Sequence, residues 1–130
     1  AANGGRLRIL AVDDNAVNRR IIDALLQSFG HELGFATSGM EALALIEQRI
    51  FDVVLLDIHM PEMDGFEVLR KLRRLPYGRH LRVVALTADV VPEAAVRYDN
   101  AGFDDVVAKP VVLDTLLAAL APRRWAAPIS

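Results

Sequence analysis

Residues 51–65, Phe51 to Gly65, read FDVVLLDIHMPEMDG, and this stretch decides the fold. Val53 to Leu56 is an apolar run without polar alternation, the pattern of a strand buried on both faces in a parallel sheet. It delivers one carboxylate, Asp57, to its carboxyl end, and Pro61 and Gly65 then prevent further extension. In open α/β sheets that end of a strand borders the crevice where ligands bind. Asp57 is the first candidate for a reacting group.

Working outward, Leu7 to Val12 is a second apolar run, broken by Asp13-Asp14-Asn15. A first helix follows, with Val17, Ile21, Leu25 and Phe29 expected on one inward face with Ile22 and Leu26. Asp14 or Asn15 would cap it, and Gly30 follows its end. Glu32 to Ala36 is a short strand. Ser38 suits the cap of a second helix with Met40, Leu43, Ala44 and Ile46 mostly inward.

Beyond Gly65, Phe66, Leu69 and Leu72 mark a third helix that Pro76 and Gly78 end. Leu81 to Leu86 forms a fourth strand leading into Thr87, Ala88 and Asp89. Pro92 suits the first turn of a fourth helix, closed by Asn100 to Gly102. Val106-Val107 is a brief fifth strand, ended by Lys109-Pro110. Leu113, Leu116, Leu117 and Leu120 stripe a last helix, ended by Pro122. This alternation implies an α/β, doubly wound parallel five-stranded sheet. One domain is expected over residues 6–121, with a linker at 1–5 and a tail at 122–130.

The bulk composition agrees with a compact domain. Of 130 residues, 53% are apolar and 25% charged, and the net charge is −2. Neither a basic patch for nucleic acid nor a membrane span of about 20 apolar residues is visible. Cysteine is absent, which removes disulfides and thiolate metal sites and fits a reducing, cytoplasmic setting.

The strand ends bring a set of groups to one rim: Asp13 and Asp14, Asp57, Thr87, and Lys109. Singly each has a plain structural reading, as helix caps, a strand end, a β-branched filler and a surface lysine. Together, three carboxylates repel, and a divalent cation resolves the conflict. Oxygen-only ligands suit Mg²⁺, with Mn²⁺ as a substitute. A carboxylate beside Mg²⁺, an ammonium and a hydroxyl suits attack on phosphorus to give an acyl phosphate. Lys109 would neutralise the equatorial oxygens, and Thr87 would hydrogen-bond one of them.

Asp13-Asp14, Asp57 with MPEMDG, Thr87-Ala88 and Lys109-Pro110 together resemble the receiver domain of two-component response regulators, over nearly the whole chain. The resemblance implies a flavodoxin-like (βα)5 sheet of order 2-1-3-4-5. It makes Asp57 the acceptor from a phosphohistidine, on a histidine kinase or a histidine phosphotransfer domain. It also implies that Asp14, Asp57 and the backbone carbonyl of His59 hold the metal, that Asp13 acts through water, and that Lys109-Pro110 is cis. DDNAVNRRII and DIHMPEMDG look most like receivers of hybrid sensor kinases. A stand-alone regulator or relay shuttle is the alternative, and a homodimer is compatible with either. Turnover is not expected beyond self-catalysed phosphotransfer and autodephosphorylation.

Three positions invite comment. Receivers commonly carry Tyr or Phe three residues before the lysine; here Val106 stands there, with no ring to move. Coupling from Thr87 to the helix-four and strand-five face is therefore expected to be weak. His59 and Asp89 flank the approach of hydrolytic water, and a contact between them would shield the acyl phosphate. Met60 and Met63 read as packing residues. A haloacid-dehalogenase-like phosphohydrolase would need an acid where His59 stands, and Asp13-Asp14 would repel the phosphate of a flavin.

Overall fold

A computed structural model describes residues 6–120. The expected linker at Ala1 to Gly5, the stop at Pro122 and the tail with Trp125 lie outside the described residues. Five strands, β1 (Arg8–Val12), β2 (Glu32–Ala36), β3 (Val53–Asp57), β4 (Arg82–Thr87) and β5 (Asp105–Ala108), alternate with five helices. These are α1 (Ala16–Leu26), α2 (Gly39–Gln48), α3 (Gly65–Leu72), α4 (Pro92–Ala101) and α5 (Leu113–Leu120). The strands form one sheet of order β2-β1-β3-β4-β5 with every pairing parallel.

β3 lies at the centre, and all five of its residues are buried. Successive side chains of a strand point to opposite faces. Val54 and Leu56 accordingly join one core, with Ala42, Ile46, Val68, Leu72 and Tyr98, while Val53 and Leu55 join the other, with Ile22, Leu26 and Leu116. Burying each such Leu contributes about 1.5–3 kcal/mol, so the unbroken apolar run serves both cores at once. Asp57 is carried to the sheet rim by that packing.

The inward faces of the first two helices differ from expectation. Val17 is 57% exposed and Phe29 44%, with Ile21 at the surface as well, while Ile22 and Leu26 are fully buried. Val17 lies about 140° round the helix from Ile22 at 3.6 residues per turn, so a single face cannot hold both. Phe29 falls in a 3-10 turn, Gln27–Phe29, where the phase is lost. On α2 the buried residues are Gly39, Ala42 and Ile46, and Met40 is 71% exposed. The caps agree with expectation: Asn15 accepts from the N–H groups of Val17 and Asn18, and Ser38 from that of Glu41.

Two polar ties set the sheet's other end. Arg73 donates to the carbonyls of Gly78 and Leu81 at 3.0 and 2.6 Å and pairs with Asp104, pinning the start of β4. His31 Nδ1 accepts the Leu7 N–H at 3.0 Å, and burial holds its pKa below the ordinary 6.5. A depressed histidine favours the neutral ring in the fold, so its contribution is complete above pH 6.5 and lost as pH falls. Melting wild type and His31→Gln at neutral pH and at about pH 5 checks this: the wild type is expected to lose more on acidification. Equal losses would remove the idea.

Candidate functional site

The rim is built from the ends of β1, β3, β4 and β5 and the corners that follow them. After β1 the chain turns at once, because Asp13 Oδ1 accepts the Asn15 N–H at 2.9 Å and Asn15 caps α1. Arg19 reaches back to the Asp13 carbonyl at 2.7 Å. After β3, the Gly65 N–H returns to the Ile58 carbonyl at 2.9 Å, closing the MPEMDG loop against the strand. A Cβ at Gly65 would lie 2.8 Å from the Asp57 carbonyl oxygen, so only glycine lets α3 start this close to the acceptor strand. Asp64 then caps α3 through the Glu67 N–H. After β5, Lys109-Pro110 is cis, and the Lys109 N–H donates to the Thr87 carbonyl at 2.9 Å.

These corners bring the expected groups together. Lys109 Nζ donates to Asp57 Oδ1 at 2.9 Å and lies 3.3 Å from Asp13 Oδ2. The His59 N–H also points at Asp57 Oδ1, at 3.2 Å. Asp13 and Asp57 are buried, whereas Asp14 is exposed at the mouth. Burial pushes the Asp57 carboxyl above its ordinary range, and the Asp13 charge adds to this; Lys109 and the His59 N–H oppose it. Burial alone would lower Lys109, but its hydrogen bond to Asp57 and the negative charges of Asp57 and Asp13 overcome that and raise it. The ammonium therefore stays charged.

One ammonium does not balance three carboxylates. Asp13 Oδ2 is buried and makes no hydrogen bond, since Lys109 sits at ion-pair distance without bonding geometry. Oxygens of Asp13, Asp14 and Asp57 lie within 4.8 Å of one another. A buried acceptor without a donor, in an oxygen-only cluster of this size, fits a hard divalent cation such as Mg²⁺.

Thr87 is fully buried at the end of β4, and Ala88 is exposed beside it. The Asp89 carboxylate is turned toward Arg97, at 3.9 Å, and the His59 side chain is exposed. The expected His59–Asp89 contact across the mouth is thus replaced by an ion pair between the loop and α4. Met60 is buried and Met63 packs against the same core, as expected of packing residues. Val106 is half-buried and packs there too. Sequence reasoning missed Tyr98, whose hydroxyl lies 3.0 Å from Thr87 Oγ1. Its spacing of four from the buried Ala94 was the available signal.

A family model for the response regulator receiver domain matches residues 9–121. The chain belongs to that family. The receiver fold extends to solved structures: Vibrio cholerae chemotaxis protein CheY4 superposes with a TM-score of 0.82 at 33% identity, covering 88% of this chain and 96% of that one. The receiver domain of sensor histidine kinase PA1611 from Pseudomonas aeruginosa, crystallised with a magnesium ion coordinated in its active site cleft, gives 0.80 at 32%, covering 88% and 94%. Among curated proteins, the sensor histidine kinase AruS of Pseudomonas aeruginosa is 40% identical over 122 residues. RcsC of Salmonella typhimurium, also a sensor histidine kinase, is 38% identical over 115 residues. The chain spans 12% of the length of each of these kinases, and 92% and 88% of this receiver is covered. A receiver family is not a conventional enzyme class, and the phosphohydrolase reading has no support. Among the described residues, no helix is long and apolar enough to cross a membrane.

Proposed function

We propose that this receiver takes a phosphoryl group from a phosphohistidine onto Asp57, and that the acyl phosphate signals by shifting the domain's conformation. The observation that carries this is the 2.9 Å bond from Lys109 to a buried Asp57, inside a cluster of three carboxylates that this one ammonium does not balance. An Asp57 oxygen attacks phosphorus, the P–N bond to the donor imidazole breaks, and the imidazole leaves neutral after taking a proton. Asp57 is buried but held by only one ammonium and one N–H, so it keeps lone pairs for the new bond. Lys109 stabilises the charge on the equatorial oxygens as the group transfers.

Asp14, Asp57 and the carbonyl of His59 would hold Mg²⁺, with Asp13 acting through water; the ion would neutralise phosphoryl oxygens at the rim. Mn²⁺ would substitute. The relatives favour a histidine kinase or histidine phosphotransfer domain as donor and a hybrid kinase as parent, with a stand-alone regulator or relay shuttle as the second reading. This reading puts the domain in the cytoplasm with its donor. The acquired charge of about −1.5 to −2 is what biases the equilibrium between states. Incubation with acetyl phosphate and Mg²⁺, read by intact mass on wild type and Asp57→Asn, tests the proposal. Wild type is expected to gain one phosphoryl group and the variant none.

A further inference from the structure

Thr87 ends β4 with its side chain fully buried, and its hydroxyl is already engaged. Oγ1 accepts the Asp89 N–H at 3.0 Å and lies 3.0 Å from the Tyr98 hydroxyl. Tyr98 in turn donates to the Asp89 carbonyl at 3.0 Å. A carbonyl can only accept, and a phenol carries one proton. The Tyr98 proton is therefore committed to Asp89, and Thr87 must be the donor in its bond to Tyr98. The single Thr87 proton points at α4 and away from Asp57.

The phenol is held where it is by packing. Tyr98 is fully buried, stacked on Phe66 with ring centroids 5.7 Å apart and edge-on to Phe103 at 6.2 Å. A ring fixed on two sides cannot follow Thr87 if the threonine turns toward Asp57. We infer that Tyr98 is a positioning residue for the phosphorylated state: it holds the Thr87 proton off the acceptor, and its release carries the state of Asp57 into α4. This rests on the receiver reading above. A Thr87 that donates to a phosphoryl oxygen must give up Tyr98, and the loss falls on the helix that starts at Pro92, three residues after Asp89. Val106 packs against the same core and leaves the role to a residue of a different element. The expectation of weak coupling to α4 considered position 106 alone; through Tyr98 the state of Asp57 has a route that does not pass through that position.

The chain has two tyrosines, so tyrosine labelled at Cζ reads the contact directly. Tyr77, 57% exposed in the Pro76–Gly78 turn, is the internal control. On titration with Mg²⁺ and beryllofluoride, the Tyr98 Cζ signal is expected to move and that of Tyr77 to stay. Tyr98→Phe removes one oxygen and keeps the ring; it should bind beryllofluoride about three- to tenfold tighter, the value of roughly one net hydrogen bond. Its α4 amides should no longer follow the ligand. In a Thr87→Val background the same change should alter affinity by less than about twofold. Bound beryllofluoride with Tyr98 Cζ unmoved overturns the inference alone, as does wild-type affinity in Tyr98→Phe. A wild type that binds no beryllofluoride overturns the receiver reading and this inference with it.

Discussion

Replacing Lys109 with alanine is expected to slow phosphoryl transfer to Asp57 by about 10²- to 10³-fold, the usual cost of removing one preorganised donor from developing negative charge. The side chain makes the 2.9 Å bond to Asp57 and is ion-paired with the Asp13 carboxylate at 3.3 Å, so it serves both buried carboxylates. Its loss should also destabilise the metal-free fold by about 3 kcal/mol, the low end for breaking a buried pair, since Lys109 keeps some contact with water. That loss has a pH sign. Without the ammonium, burial pushes the Asp57 carboxyl further upward, so the variant loses stability as pH rises above the ordinary carboxylate range and recovers as acid neutralises Asp57. Mg²⁺ should restore part of the stability but little of the rate. Lys109→Arg is not a safe control, because a planar guanidinium does not fit where one compact ammonium bridges two oxygens. Kinetics with acetyl phosphate, alongside thermal melts with and without Mg²⁺, check both parts. A rate within about threefold of wild type would deny Lys109 its role.

The sheet and its rim were legible in the sequence because they depend on local signals. Val53 to Leu56 needs both faces covered, and each apolar run stops at a polar group that the parallel topology must put on one edge. Helix faces were less legible. On α1, eleven residues long, five large apolar residues spread round more of the circumference than the sheet covers, and only packing selects Ile22 and Leu26. Contacts across the rim were the least legible. Asp89 looks toward His59 if only the loops are considered, but α4 brings Arg97 close enough to take it. Tyr98 reads as one more core ring until α4 is laid against the end of β4 and its hydroxyl meets Thr87. Such pairings are set by how a helix crosses a strand, which residue spacing within either element does not encode.

Asp57→Asn is expected to have the largest effect of all, complete loss of phosphoryl uptake. An amide at this position has no anionic oxygen with which to form an acyl phosphate. The substitution should not damage the fold. It removes one carboxylate from a cluster whose oxygens crowd within 4.8 Å, and it relieves the burial that pushes the Asp57 carboxyl upward. The metal-free variant should therefore melt above wild type, while Lys109 retains Asp13. Loss of uptake through unfolding is thereby separated from loss through chemistry.

The most direct measurement is the intact mass of both proteins after incubation with acetyl phosphate and Mg²⁺, with circular dichroism melts on the same samples. A single phosphoryl adduct on wild type, absent from a folded Asp57→Asn, is the predicted result. An equal adduct on both proteins would place the phosphoryl group elsewhere and contradict the account.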